Sequence, residues 1–182
     1  MKLGIQPHLA DLSLLNTIFI FDIIGIERAR PTVHNLVHKY DPQPESGRCP
    51  DHVAVDKTVI RLNNEQYWLY AAVDPKTNEL LYKRLELTNS VLAQTFFAEL
   101  REKHDVENAV FLIDGSHSLK DACRRHGLDF RYEKHGNRNS VERVFQKVKR
   151  RITSFSNCFS NASAEAADDW LRSFSFAWNQ RI

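Results

Sequence analysis

The chain has 182 residues, of which 42% are hydrophobic, and a formal net charge of +2; this suits one medium domain or a small one beside a larger one, with material for a proper core. Cys49, Cys123 and Cys158 are odd in number, widely spaced and without a CxxC pair, which argues against a disulfide framework and for a reducing cytoplasm. No signal-peptide pattern is visible, and the greasiest stretch, "LLNTIFIFDIIGI" at 14–26, is too short for a membrane span and holds Asn16, Thr17 and Asp22.

That stretch reads as a buried helix. Gly25 then supplies a turn, and "RPTVHNLVHKY" places Val33, Leu36, Val37 and Tyr40 at helical spacing, with Pro31 suited to the first turn. Helix, turn and helix within residues 1–40 outline a helix-turn-helix DNA-binding module, and equally a plain helical hairpin. His34 and His38 share a helical face and are candidate DNA contacts. "YDPQPESGRCPD", with its prolines and no apolar period, reads as a linker over 41–51.

From residue 52 the pattern changes. "HVAVDKTVIRL", "YWLYAAVD" and "ELLYKRLELT" are rich in β-branched and aromatic residues, with turns at Asn63-Asn64 and "DPKTN". They predict a meander of antiparallel strands. "SVLAQTFFAELREKH" predicts an amphipathic helix capped by Asn89 or Ser90. "NAVFLIDGS" predicts a buried strand, "SLKDACRRHG" a helix ended by Gly127, and "LDFRYEKH" a short strand. "NSVERVFQKVKRRITSF" predicts a helix, and "AEAADDWLRSFSFAWNQRI" a last one burying Trp170 and Phe174. The whole describes an α/β fold with a mixed sheet.

Most acids have plain readings in turns or on solvated helix faces. Three do not. Asp56 stands in mid-strand, where Asp is disfavoured. Asp114 ends the most apolar strand, where α/β folds open the crevice that takes ligands. Glu142 lies beside the apolar stripe Val141, Val144, Phe145, Val148 and Ile152, on a helix that otherwise gathers Arg143, Lys147, Lys149, Arg150 and Arg151. If the three acids converge, the cluster repels itself unless cations neutralise it. Mg²⁺ takes oxygen ligands, and two such ions roughly 3.5–4 Å apart serve phosphoryl transfer. The basic helix would then meet phosphates. The other reading is three unrelated acids that never meet.

"VAVDKTVIRLNNEQYWLYAAVDPKTNELL", "AVFLIDGS" and "HGNRNSVERVFQKVKRR", in this order, closely resemble the DDE transposases of small insertion sequences, nearest to the archaeal branch of the "insertion sequence six" family. The resemblance implies a ribonuclease H-like catalytic domain over 52–182, its mixed sheet made of three antiparallel strands and then two parallel ones, preceded by a helix-turn-helix. It implies a catalytic, metal-holding triad at Asp56, Asp114 and Glu142, with Lys149 matching the family's basic residue two helical turns beyond the glutamate. Two Mg²⁺ ions, replaceable by Mn²⁺, are the implied cofactors. Implied partners are double-stranded DNA, as terminal inverted repeats and target, and further copies of the chain, on a nucleoid and not a membrane. Arg138 and Asn139 are further candidate DNA contacts. Where the family has an acid after the first aspartate this chain has Lys57, whose side chain alternates to the opposite face of the strand. A decayed or regulatory copy that binds DNA without catalysis is the rival expectation.

Overall fold

The computed structural model describes residues 14–39, 46–87, 91–154, 159 and 162–180. The expectations placed on Asn89, Ser90, Cys158 and part of the linker fall outside these residues, as do the side chains of His34 and His38. Residues 45–164 form one compact unit built on a five-stranded sheet. Its strands are β1 (His52–Leu62), β2 (Glu65–Val73), β3 (Leu80–Leu87), β4 (Val110–Ile113) and β5 (Phe130–Tyr132), in the spatial order β3-β2-β1-β4-β5. β1, β2 and β3 run antiparallel, while β4 pairs parallel with β1 and β5 parallel with β4. This is the mixed, ribonuclease H-like sheet expected. The first hairpin closes at Asn63 and Asn64, both at positive φ (47° and 66°), as a two-residue turn that matches strand twist requires. The second closes where Asp74 accepts the Lys76 N–H at 2.8 Å and Asn78 takes a φ of 60°.

Alternation along the strands sorts the sheet into two faces. One presents Val53, Val55, Tyr70, Ala72, Phe111 and Ile113 to α3 (Leu92–Lys103) and α4 (His117–Arg125). There Phe96, Phe97 and Leu100 are fully buried, and the Phe97 ring stands edge-on to Phe111 with centroids 5.3 Å apart. Burying side chains of this size is worth about 1.5–3 kcal/mol each, which makes this face the main store of stability. The opposite face carries Ala54, Ile60, Leu69, Ala71 and Leu112, all buried. It is met by α5 (Asn139–Ser154), which packs on β1 and β2 and buries Val141, Val144, Phe145 and Val148, the stripe that the sequence marked.

A second unit comprises, of the described residues, 14–39 together with 165–180. In it α1 (Leu14–Ile23) packs on α2 (Arg30–Lys39) through a turn at Gly25, whose φ of +74° suits glycine. α6 (Ala164–Asn179) buries Trp170 and Phe174, stacked at 5.5 Å. One expectation is corrected here. α1 was read as buried, yet Leu15, Phe19 and Ile23, one turn apart, are exposed. α1 buries Thr17 and Phe21, one turn apart, and leaves the other row to solvent. Among the described residues no helix is long and apolar enough to cross a membrane.

Candidate active site

Register brings the two aspartates together. β1 and β4 are parallel partners, with Ala54 opposite Leu112 and Val55 opposite Ile113. One further step brings Asp114, just past the end of β4, beside Asp56, whose carboxyl feels its charge. Glu142 comes from the first turn of α5, which lies on β1. Mutual influence shows in Asp56: burial pushes its carboxyl above the usual aspartate value, and the charges of Asp114 and Glu142 push it further. The Lys57 N–H, which donates to Asp56 Oδ1 at 2.8 Å, and Arg138 pull the other way. Asp114 Oδ1 is fixed by the Ser116 N–H at 2.9 Å. The three expected carboxylates thus share one neighbourhood.

Arg138 occupies the middle of it. One guanidinium donates through Nη1 to Asp56 Oδ2 at 2.5 Å and through Nη2 to Glu142 Oε1 at 2.6 Å. Its side chain is only 11% exposed, against 14% for Asp56 and 40% for Glu142. It is carried there by a 3-10 turn, Gly136–Arg138, that leads directly into α5 and lies over β1 and β4. Gly136 takes a φ of +84°, and the Glu133 carboxylate accepts the Asn137 N–H at 2.6 Å. Weighed as a DNA contact because it lies beside Glu142, Arg138 turns its guanidinium onto two acids. The missed signal was its position four residues before Glu142, the spacing of a helical ion pair.

Lys57 goes where alternation sends it. On the face opposite Asp56 its Nζ donates to Ser118 Oγ at 2.9 Å and stands 4.9 Å from the centre of the Trp68 ring. Ser118 in turn shares a hydrogen bond with Ser116 at 2.9 Å. Lys57 therefore braces the loop that carries Asp114, from behind the sheet. Nothing in the sequence spacing announced Ser116 or Ser118.

The basic residues of α5 divide. Arg143, Lys149 and Arg150 are exposed, Lys147 half-buried and Arg151 buried. Arg143 donates to Asn78 Oδ1. Expected on the phosphate-facing surface, Arg151 is corrected to a buried side chain, since it falls just beyond Val148 on the inward side. Asn139 opens α5 with its N–H on Gly136 and Asn137 carbonyls.

Three carboxylates are hard oxygen donors of the kind Mg²⁺ and Mn²⁺ take. Among the described residues, however, no three His, Cys, Asp or Glu side chains are gathered as a ready cage for an ion. The positive charge that the cluster needs is supplied by Arg138, standing on two of the oxygens that a cation would use. In chemistry the carboxylates suit a hard divalent cation; in their present arrangement the Arg138 guanidinium, not an ion, balances Asp56 and Glu142.

Fold and rim together define an α/β protein with a ribonuclease H-like mixed sheet and an acid cluster on one face. The chain is 30% identical over 160 residues to the uncharacterized protein MJ0017 of Methanocaldococcus jannaschii, spanning 87% of this chain and 74% of that protein, and it belongs to the same family. No family model matches it. Among solved structures it is similar to the catalytic core of the HTLV-2 integrase in complex with magnesium, at 14% identity and a TM-score of 0.49 over 70% of this chain and 85% of that one. It is also similar to a chain of the simian T-cell lymphotropic virus intasome in complex with the PP2A regulatory subunit B56 gamma, at 16% and 0.49 over 88% and 63%. The catalytic core of BIV integrase matches at 14% and 0.47 over 71% and 82%.

Proposed function

We propose that the chain is an insertion-sequence transposase that nicks element ends and joins the freed 3′-hydroxyl to target DNA. The observation that supports this reading is that the charges of Asp114 and Glu142 both act on Asp56, with Arg138 bridging Asp56 and Glu142, in a chain whose motifs around those residues resemble the DDE transposases. Water attacks the phosphodiester at the element end and breaks its bond to the 3′ oxygen. The freed hydroxyl then attacks a target phosphodiester and displaces the target's own 3′ oxygen. Two Mg²⁺ ions, with Mn²⁺ as substitute, would supply activation of the attacking oxygen and stabilisation of the leaving one when bound. Asp56, Asp114 and Glu142 would hold them. Exposed Arg143, Lys149 and Arg150 would meet phosphates, and Lys147 would contribute at the margin. No side chain is consumed, so no Ser, Tyr or Cys nucleophile is required. Double-stranded DNA is the partner, with further copies of the chain assembled on it, at the nucleoid. The helical pair α1–α2 would serve as the DNA-reading module, with His34 and His38 on α2.

Asp114→Asn keeps the shape of the side chain and removes its charge. It should abolish strand transfer, at least 10²-fold, on an oligonucleotide carrying the element end, while binding of that oligonucleotide stays within about twofold. Retained strand transfer would remove Asp114 from the chemistry. The second reading, a copy that binds DNA without catalysis, is favoured by one observation, the docking of Arg138 on two of the acids. End-specific binding with no cleavage in Mg²⁺ or Mn²⁺ would establish it.

A further inference from the structure

We propose that Arg138 is an internal counter-ion which a divalent cation must displace, so that guanidinium and metal occupy the acid cluster in turn. This rests on the reading of Asp56, Asp114 and Glu142 as a cation site. Asp56 has one oxygen committed to the Lys57 N–H, and Arg138 takes the other. Glu142 Oε1 is taken by the second arm of the same guanidinium. A cation bridging strand and helix would draw on the same two carboxylates, which the guanidinium already ties together. The docked arrangement is also incomplete: Nη2 finds the Lys134 carbonyl at 3.2 Å, but the Arg138 Nε is buried without an acceptor among the described residues. A buried donor left unmet opposes the pose that buries it. The long arginine stem springs from a short 3-10 turn that lies over β1 and β4, and its own side-chain bonds are the ones that would turn to clear the acids. Two occupants that exclude each other are thermodynamically coupled, so weakening one strengthens the other.

The test measures Mn²⁺ binding to the full chain, by the electron paramagnetic resonance of free Mn²⁺, for wild type, Arg138→Gln, Arg138→Lys and the double variant Arg138→Gln with Asp114→Asn. Arg138→Gln should bind Mn²⁺ about 5- to 150-fold more tightly than wild type, and the double variant should lose that gain. Metal-free Arg138→Gln should melt below wild type, and Mn²⁺ should raise its Tm more than it raises that of wild type. Arg138→Lys, which keeps the charge but lacks a two-armed fork, should fall between the two in affinity and serves as the readout if the glutamine variant does not fold. Affinity in either variant equal to or below wild type, with binding still lost on Asp114→Asn, overturns the displacement and leaves the cation site standing. Mn²⁺ binding indifferent to Asp114→Asn overturns both.

Discussion

Asp56 sits on a strand between a backbone N–H, a guanidinium and two other carboxylates, and burial dominates what it feels. Its native carboxyl holds a proton more tightly than the ordinary value of 3.8 implies. The sign follows: a raised native value contributes stability that is full below 3.8 and is lost as pH rises through the native value. Asp114→Asn removes one of the charges raising it. Carboxyl-carbon NMR titration should therefore find the Asp56 midpoint lower in that variant, and urea unfolding across acid to neutral pH should show a shallower loss of stability. An unmoved midpoint would mean that Asp114 does not bear on Asp56. At this scale the acids were legible from sequence, since a charge in mid-strand or at the end of an apolar strand conflicts with propensity. Arg138 was not: positive charge reads as an outward contact until the fold shows two acids beneath it.

Gly136 determines how the basic helix begins. Its φ of +84° is costly for any residue with a Cβ, and a Cβ there would meet Glu133 Oε1 at 2.9 Å. Glu133 cannot yield freely, because it accepts from the Asn137 N–H and from Arg131 at 2.8 Å. Gly136→Ala should lower unfolding free energy by about 1–3 kcal/mol in urea titration. A change below about 0.5 kcal/mol would show that the turn bears no strain of this kind. The strands and α5 were readable because alternation and a helical stripe coincide with burial, as in Val53, Val55 and Val141, Val144, Val148. β5 was harder: the stretch 128–135 reads as a strand, but the strand spans only Phe130–Tyr132, and Glu133, whose N–H still donates to the Ile113 carbonyl at 3.1 Å, turns its side chain to cap the next turn. Edge strands and caps depend on neighbours that periodicity does not record.

At the scale of the molecule, the chain divides between a sheet unit and a helical unit. Sequence reports that Trp170 and Phe174 need cover, but not which neighbour supplies it. Composition also understates the acid cluster, because a net charge of +2 averages a carboxylate rim against a basic helix. The ordered motifs carried what averages could not: acids distant along the chain, joined by strand register and helix packing. The most direct test of their joint role is a crystal of the full chain soaked in Mn²⁺, with anomalous diffraction recorded at the manganese edge. The expected result is a peak between the Asp56 and Asp114 carboxylates, with Glu142 turned to it and the Arg138 guanidinium moved off. Manganese found only elsewhere on the surface, with Arg138 still bridging Asp56 and Glu142, would contradict it.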